Sequence, residues 1–243
     1  MKIKLTVIIP TLSNVNGLKY LLNYFRDKPY ELIVIDNKKK NFGFAGGVNK
    51  GARNVKTKWM LVLNDDVEFS KNKKQDTIQR LMNFAEEKKL DAVTPVLRNP
   101  DGGIENLGYN LLPIGKIVLV KEFSIFNFQF SKIDGITAAC LLIKTSVFKK
   151  LEGFDDSFFA YLEDVDFFLR FKKAGYKMGI ADVEVLHNHM ITAKTMGNFK
   201  ARQDMFNWWR LYFKHPNKFE LNLAFIIERL RNFSGFIKAS LKI

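Results

Sequence analysis

The chain has 243 residues, 47% hydrophobic and 26% charged, with a formal net charge of +14. That profile belongs to a globular protein and excludes a disordered, collagen-like or disulfide-stapled chain. The lone Cys140 forbids an internal disulfide and, set in the apolar run Ala138 to Ile143, suits a reducing compartment.

Taken in order, the first half alternates short apolar runs with helical patterns. Leu5 to Pro10 reads as a strand, and Leu18 to Phe25 as a helix after the turn residues Ser13 to Gly17. A second strand, Leu32 to Ile35, ends at Asp36, and a Gly-rich turn leads into a helix from about Ala45 to Asn54. Trp59 to Leu63 is a strand ending at Asn64-Asp65-Asp66, followed by a helix from about Asp76 to Lys88 and a strand from Ala92 to Leu97. Strand–helix alternation with continuously apolar strands predicts a Rossmann-like, mostly parallel central sheet flanked by helices, an α/β fold. Such sheets bind ligands at the carboxyl ends of their strands, where Thr11, Asp36 and Asn64 to Asp66 all fall.

From Pro100 to Ile133 the pattern becomes hairpins or an irregular insertion, with β-like stretches at Ile117 to Val120 and Phe123 to Phe130. Ala138 to Ile143 is expected as a buried strand, with Thr145 capping a short helix through Lys150. Glu163 to Ala174 has helical spacing stopped by Gly175 at C′. A further strand, Met178 to Leu186, runs into His187-Asn188-His189. Residues 1–197 are expected to form one α/β domain and 198–243 an amphipathic helical extension. In that extension Phe219, Leu223, Ile226, Leu230, Phe233, Ile237 and Leu241 form one apolar stripe.

Transfer from a phosphorylated donor requires charge stabilisation on the leaving group, commonly by a cation held on carboxylates, and a second carboxylate to accept a proton. The chain offers two separated acidic spots, Asp65-Asp66 after a strand and Glu163-Asp164 opening a helix. Each also has a structural explanation: a hydrated turn for the first, a dipole-complementing helix start for the second.

The ordered segments Val7-Ile8-Ile9-Pro10-Thr11, Ile33 to Asn37, Asn41-Phe42-Gly43-Phe44-Ala45-Gly46-Gly47-Val48-Asn49-Lys50-Gly51 and Leu61 to Asp66 continue into Gly153-Phe154-Asp155, Phe158 to Asp166, Arg170, Gly175-Tyr176 and His187. This series resembles glycosyltransferase family 2, with the GT-A fold, and within it the rhamnosyltransferase-like branch. The resemblance spans roughly residues 5 to 190. It implies an inverting transfer from a nucleotide-diphosphate sugar to a glycan or lipid-linked glycan, supported by Mn²⁺ or Mg²⁺. Carried over by position, it implies Asp164 as general base with Glu163 beside it, and Asp66 as metal ligand with His187. Pro10, Thr11, Asp36, Asn41, Gly43, Gly46, Asn49, Asn64 and Asp65 would line the donor site. His189, two residues past His187, is the alternative metal ligand, and Arg170 is expected to pair with Asp166 along the helix. The chain departs from the family after Asp36-Asn37, where only Lys38-Lys39-Lys40 precedes the Asn-Phe-Gly segment. That implies an open or rearranged base pocket.

Two other classes share some of these features. A sugar nucleotidyltransferase uses a related sheet but a Gly-rich, Arg-bearing loop after its first strand, which Pro10 to Asn14 lacks. A non-enzymatic binder of nucleic acid or membrane would explain the charge but not the acidic pairs. The cationic residues are dispersed from Lys38 to the C-terminal segment, as on a solvated surface, and nucleic acid is not expected as a partner. The aromatic and cationic run Phe206, Trp208-Trp209-Arg210, Tyr212-Phe213-Lys214 is expected to pack on the domain or on a second copy as a homodimer, or to lie peripherally on an anionic membrane. Met1 to Leu5 shows no signal-peptide core and no run of about 18 apolar residues occurs, so a cytoplasmic location is expected, with the inner membrane face as the place of any such contact.

Overall fold

Successive residues of the first strand point to opposite sides of one sheet, and both sides are buried. The computed structural model describes residues 5–12, 14–69, 76–122, 133–188 and 197–241. In it β1 (Leu5–Thr11) is buried along its whole length. Leu5, Val7 and Ile9 face one apolar cluster, while Ile8 faces another. Helices α1 (Val15–Phe25) and α3 (Thr77–Glu87) cover the first face. Helices α2 (Gly43–Ala52), α4 (Thr145–Lys150) and α5 (Glu163–Lys173) cover the second. A sheet sandwiched this way needs unbroken apolar strands, which is what the sequence carries.

Flanking β1 are β2 (Glu31–Asp36) and β3 (Trp59–Leu63), both parallel to it. The order continues through β9 (Cys140–Lys144), β5 (Ala92–Arg98), β10 (Met178–His187) and β4 (Val67–Phe69), with β6 (Ile104–Asn106) on β5. β9 is antiparallel to both β3 and β5, whereas β10 is parallel to β5. Five strands therefore run one way, and β4, β6 and β9 run against them. The irregular region yields β6 and a separate hairpin of β7 (Tyr109–Leu112) and β8 (Lys116–Leu119). The stretch expected at Phe123 to Phe130 lies outside the described residues.

One local expectation is corrected. Thr145 does not cap α4: Lys144 holds the cap position, and Thr145 Oγ1 has no hydrogen-bond partner among the described residues. The C-terminal stripe does not pack as one face. Phe219 is buried, but Leu223, Leu230, Phe233 and Leu241 are 74%, 60%, 51% and 62% exposed. Phe225 and Arg229, four residues apart and out of phase with the stripe, turn inward instead. The Arg229 guanidinium lies 4.4 Å from the Trp208 ring and donates to Gly115 O at 2.5 Å. Burial lowers its pKa to about 10.

The segment after residue 197 is joined to the rest through a shared core. Helix α6 (Gly197–Lys214) places Trp208 and Leu211 in a cluster with Phe158, Leu162, Val165 and Leu169. Helix α7 (Leu223–Leu241) adds Phe225 to it.

Candidate active site

The strand register brings the sequence-predicted groups to one edge. Thr11 stands opposite Asp36 at the end of the β1–β2 pair. Leu63 pairs with Cys140, so Asn64 leaves β3 where β9 begins. Antiparallel pairing of His187 with Val67 then sets the end of β10 beside Asp66, whose carbonyl accepts from Asn188 N at 2.8 Å. These ends line a cavity of about 410 Å³, closed on the far side by Phe159 to Val165 and by Phe199, Lys200 and Asp204 of α6.

Asp65 and Asp66 play different parts. The Thr11 hydroxyl donates to Asp65 Oδ2 at 2.6 Å, and Asn14 Nδ2 donates to the Asp65 carbonyl at 2.8 Å. Burial nevertheless dominates and raises the Asp65 pKa to about 6. Asp66 is 7% exposed, and its Oδ1 lies 3.1 Å from His187 Nε2. On the other side of the ring, His187 Nδ1 is 3.0 Å from Glu105 Oε2. Burial alone would lower the His187 pKa, but the bonds to Asp66 and Glu105 outweigh it and lift the value to about 9. Glu105 thus holds Nδ1–H and turns Nε2 toward Asp66, the arrangement that orients metal-binding histidines.

The residues fit a divalent cation. Two ligands each about 2.1 Å from one ion and about 90° apart stand about 3 Å from each other; Nε2 and Oδ1 are 3.1 Å apart. Five carboxylates line the cavity (Asp65, Asp66, Glu163, Asp164 and Asp204) against a single lysine, Lys200, among the described residues. A diphosphate entering such a wall is repelled unless a cation accompanies it. Among the described residues no group of three or more His, Cys, Asp or Glu side chains assembles into a metal site. The remaining positions would fall to phosphate oxygens and water, as is usual for Mg²⁺-type sites. His189 lies outside the described residues.

Glu163 and Asp164 open α5 on the opposite wall. Burial raises both carboxyls above the ordinary range; the Asp164 charge adds to the effect on Glu163, while a backbone bond from Ala138 restrains that on Asp164. Glu163 Oε2 and Asn64 Oδ1 are buried with no hydrogen-bond partner among the described residues, a cost of about 1–3 kcal/mol each. The turn leading into the pair is strained: Phe159, Tyr161 and Leu162 have φ of 60°, 67° and 66°. Each such non-glycine residue costs about 1–3 kcal/mol and persists only where its surroundings enforce it.

Of the expected donor-site residues, Pro10, Thr11, Asn41, Gly43, Asn64 and Asp65 line the cavity; Asp36, Gly46 and Asn49 do not. Asp36 is exposed and accepts from Lys38 N at 2.8 Å. Its neighbour Asn37 is the buried one, donating to Gly43 O at 3.1 Å. The helix starts at Gly43, so Gly46 and Asn49 are carried away from the opening. Asn49 Nδ2 donates to Phe154 O at 2.7 Å and also bonds Asp156, while its Oδ1 accepts from Phe154 N at 3.0 Å. Asn49 is a staple between α2 and the loop at 153–156. Gly43 is required by packing: at φ +70° a Cβ there would stand 2.2 Å from Phe159 O. Arg170 pairs with Asp166 at 2.8 Å, as its spacing predicts.

Sequence reasoning missed Glu105, Asn37, the α6 residues and Tyr109, which lines the cavity and donates to Asp164 O at 3.4 Å. Glu105 sits in a three-residue strand within a Gly- and Asn-rich stretch, with no periodicity to mark it. Asn207 carried only a weak signal, a polar residue beside Trp208 and one turn before Leu211, the buried apolar residues of that helix.

With this geometry in view, the chain was compared with known proteins. The model of Glycosyl transferase family 2 matches residues 13–152. Low-salt glycan biosynthesis hexosyltransferase Agl10 of Haloferax volcanii is 24% identical over 162 residues, covering 62% of this chain and 50% of that protein. N-acetylglucosaminyl-diphospho-decaprenol L-rhamnosyltransferase of Mycobacterium tuberculosis is 27% identical over 147 residues, covering 54% and 47%. The chain spans about half the length of these curated relatives. Among solved structures, the mannosyltransferase PcManGT from Pyrobaculum calidifontis, in complex with GDP-Man and Mn²⁺, superposes with a TM-score of 0.59 at 13% identity, covering 99% of this chain and 74% of that one. S. aureus TarS gives 0.57 at 14% identity, covering 98% and 43%. The fold is GT-A.

Proposed function

The chain belongs to glycosyl transferase family 2, and from that premise we propose that it moves a hexosyl group from a nucleoside-diphosphate donor to a hydroxyl of a glycan or lipid-linked glycan. The observation carrying this reading is that Asp66 and His187 face Glu163 and Asp164 across one cavity. The names of the relatives support the acceptor class, since one acts on a diphospho-decaprenol-linked sugar and another in glycan biosynthesis. A dTDP- or UDP-linked sugar, rhamnose among the candidates, is the proposed donor, and cell-surface polysaccharide synthesis the setting.

The reaction is a single displacement. Asp164 accepts the proton of the acceptor hydroxyl; the freed oxygen attacks the anomeric carbon, the bond to the diphosphate breaks, and configuration inverts. Glu163 shares the buried wall with Asp164, whose charge adds to burial in raising the proton affinity of Glu163. Mn²⁺ or Mg²⁺ on Asp66 and His187 would supply Lewis-acid stabilisation to the departing diphosphate. Thr11 and Asn14 hold Asp65 against the donor side.

We place the proposed peripheral contact with an anionic membrane, on the cytoplasmic side, on α7 rather than on the aromatic run of α6 that the sequence suggested, because Trp208 and Leu211 of that run are buried. No helix among the described residues is long and apolar enough to cross a membrane. The exposed Leu223, Leu230, Phe233 and Leu241 are flanked by exposed Arg231 and Lys238. A chain of net charge +14 is drawn to anionic lipid and repelled by a second copy of itself.

The test is release of nucleoside diphosphate from a panel of activated sugars, with and without Mn²⁺. Release that needs metal and acceptor, and that disappears in Asp164→Asn, supports the reading. Absence of release with every donor overturns it.

A further inference from the structure

Asn207 lies on α6, some 40 residues beyond the acidic pair and outside every motif that marks the family. Its side chain is fully buried. Nδ2 stands 3.0, 2.9 and 2.7 Å from the carbonyl oxygens of Phe158, Ala160 and Tyr161. Oδ1 accepts from Arg210 Nη1 at 2.6 Å, which fixes which end of the amide faces the turn. A single side chain therefore gathers three carbonyls of the left-handed turn that delivers Glu163 and Asp164 to the cavity.

The fourth carbonyl of that turn is held from the other side. Phe159 O accepts from Ala45 N at 3.1 Å, at the start of α2. The turn is thus clamped between α2 and α6, and its three positive φ angles at Phe159, Tyr161 and Leu162 are kept by those bonds. No backbone N–H takes the place of Asn207 for Ala160 O or Tyr161 O among the described bonds. Removing the amide leaves buried acceptors without donors, and the turn's cheapest relief is to relax toward ordinary backbone angles. That rotation moves Leu162, the residue preceding Glu163.

We propose that Asn207 is the positioning residue for the acceptor-activating carboxylates, so that helix α6 completes the catalytic centre. This deepens the function proposed above and rests on it for the role of Asp164. The role is distinct from general support of the core, which Leu211, fully buried on the same helix, represents.

The experiment compares Asn207→Leu, Asn207→Gln and Leu211→Ala in the full chain. Three readouts are taken: kcat, affinity for UDP with Mn²⁺, and a carboxyl carbon-13 NMR titration of Glu163 and Asp164. Asn207→Leu is expected to lower kcat at least tenfold, with nucleotide affinity within about twofold, and to bring both carboxyls down toward ordinary values as they gain solvent. Asn207→Gln, which keeps the amide, is expected to recover part of kcat. Leu211→Ala is expected to lower the melting temperature without moving the titration. An unchanged titration and kcat in Asn207→Leu overturn the proposal, as does an equal loss of kcat in Leu211→Ala at matched folded fraction. If Asn207→Leu does not fold, the smaller Asn207→Ser, which also removes the amide, takes its place in the titration: carboxyls moved off their wild-type values support positioning, and unmoved ones overturn it. A titration shift in a chain that turns over no donor keeps the positioning role and rejects the transferase reading instead.

Discussion

His187 Nε2 stands 3.1 Å from Asp66 Oδ1, although 121 positions separate the two residues in the chain. The contact exists because β10 and β4 pair antiparallel at their ends, and it is aimed by Glu105 on the far side of the ring. Two donors at this separation answer to one cation, and the second carboxylate, Glu105, decides whether the imidazole is ready for it.

Glu105→Gln is therefore expected to weaken Mn²⁺ binding by about 10–100-fold, although Glu105 would touch no metal. His187→Ala and Asp66→Ala should weaken it further. Titration calorimetry with Mn²⁺ and UDP reads all three. Unchanged affinity in Glu105→Gln would remove the orienting role.

The Glu163–Asp164 pair predicts opposite pH trends for turnover and stability. Both carboxyls titrate above the ordinary range because they are buried. Turnover needs the base deprotonated, so kcat/KM should fall as pH drops, with an acid limb well above the usual carboxylate pKa of about 4. Stability runs the other way. Between the unfolded and the raised folded pKa, the native state binds more protons than the unfolded one, so unfolding free energy declines as pH rises through that window. Thermal melts of the metal-free protein alongside kcat/KM profiles test both. A melting temperature that rises over the same window would contradict the assignment.

The sheet and both acidic spots were legible because each depends on short-range pattern. The apolar runs at Leu5 to Pro10 and Trp59 to Leu63 end in polar residues, and the helix at Glu163 announces itself by Val165, Phe168 and Leu169. Asn49 was misplaced because spacing alone does not show how far α2 has rotated by its seventh residue. Glu105 was missed because its strand is three residues long and takes its place only by pairing with β5. The period of the C-terminal stripe was legible but not which side of α7 turns inward, since Phe225 and Arg229 are selected by Trp208 and Gly115 elsewhere in the chain.

Helix α7 yields a binding prediction. Leu230→Glu with Phe233→Glu alters two exposed side chains and should leave the fold intact, with a change within about 0.5 kcal/mol per site. The wild-type chain is expected to sediment with phosphatidylglycerol vesicles, less so in high salt, and not with phosphatidylcholine alone. The double variant should stay in solution. Binding retained by the variant removes α7 as the contact, and a variant that instead turns a dimer into a monomer assigns the face to a second copy.

The far end of α6 predicts a stability effect. Asp166 is fully buried, and its Oδ1 lies 2.8 Å from both Lys214 Nζ and His215 Nε2, while Oδ2 faces Arg170 at 2.8 Å. Burial would raise its pKa, but the bond from His215 and the charges of Arg170 and Lys214 prevail and hold it at about 2. Because the folded pKa is depressed, this contribution is present above the unfolded value of about 4 and is lost as pH falls toward 2. Asp166→Asn keeps the shape but strands the cations of Arg170 and Lys214 around a neutral amide and weakens the bond to His215. A loss of about 3 kcal/mol is expected, at the low end for a broken buried pair because the partners are partly solvated. Urea denaturation at pH 7 measures it. The loss should shrink when the same comparison is made near pH 3, where protonation has begun to cost the wild-type carboxylate its advantage; a difference independent of pH would mean that packing, not charge, joins α6 to α5.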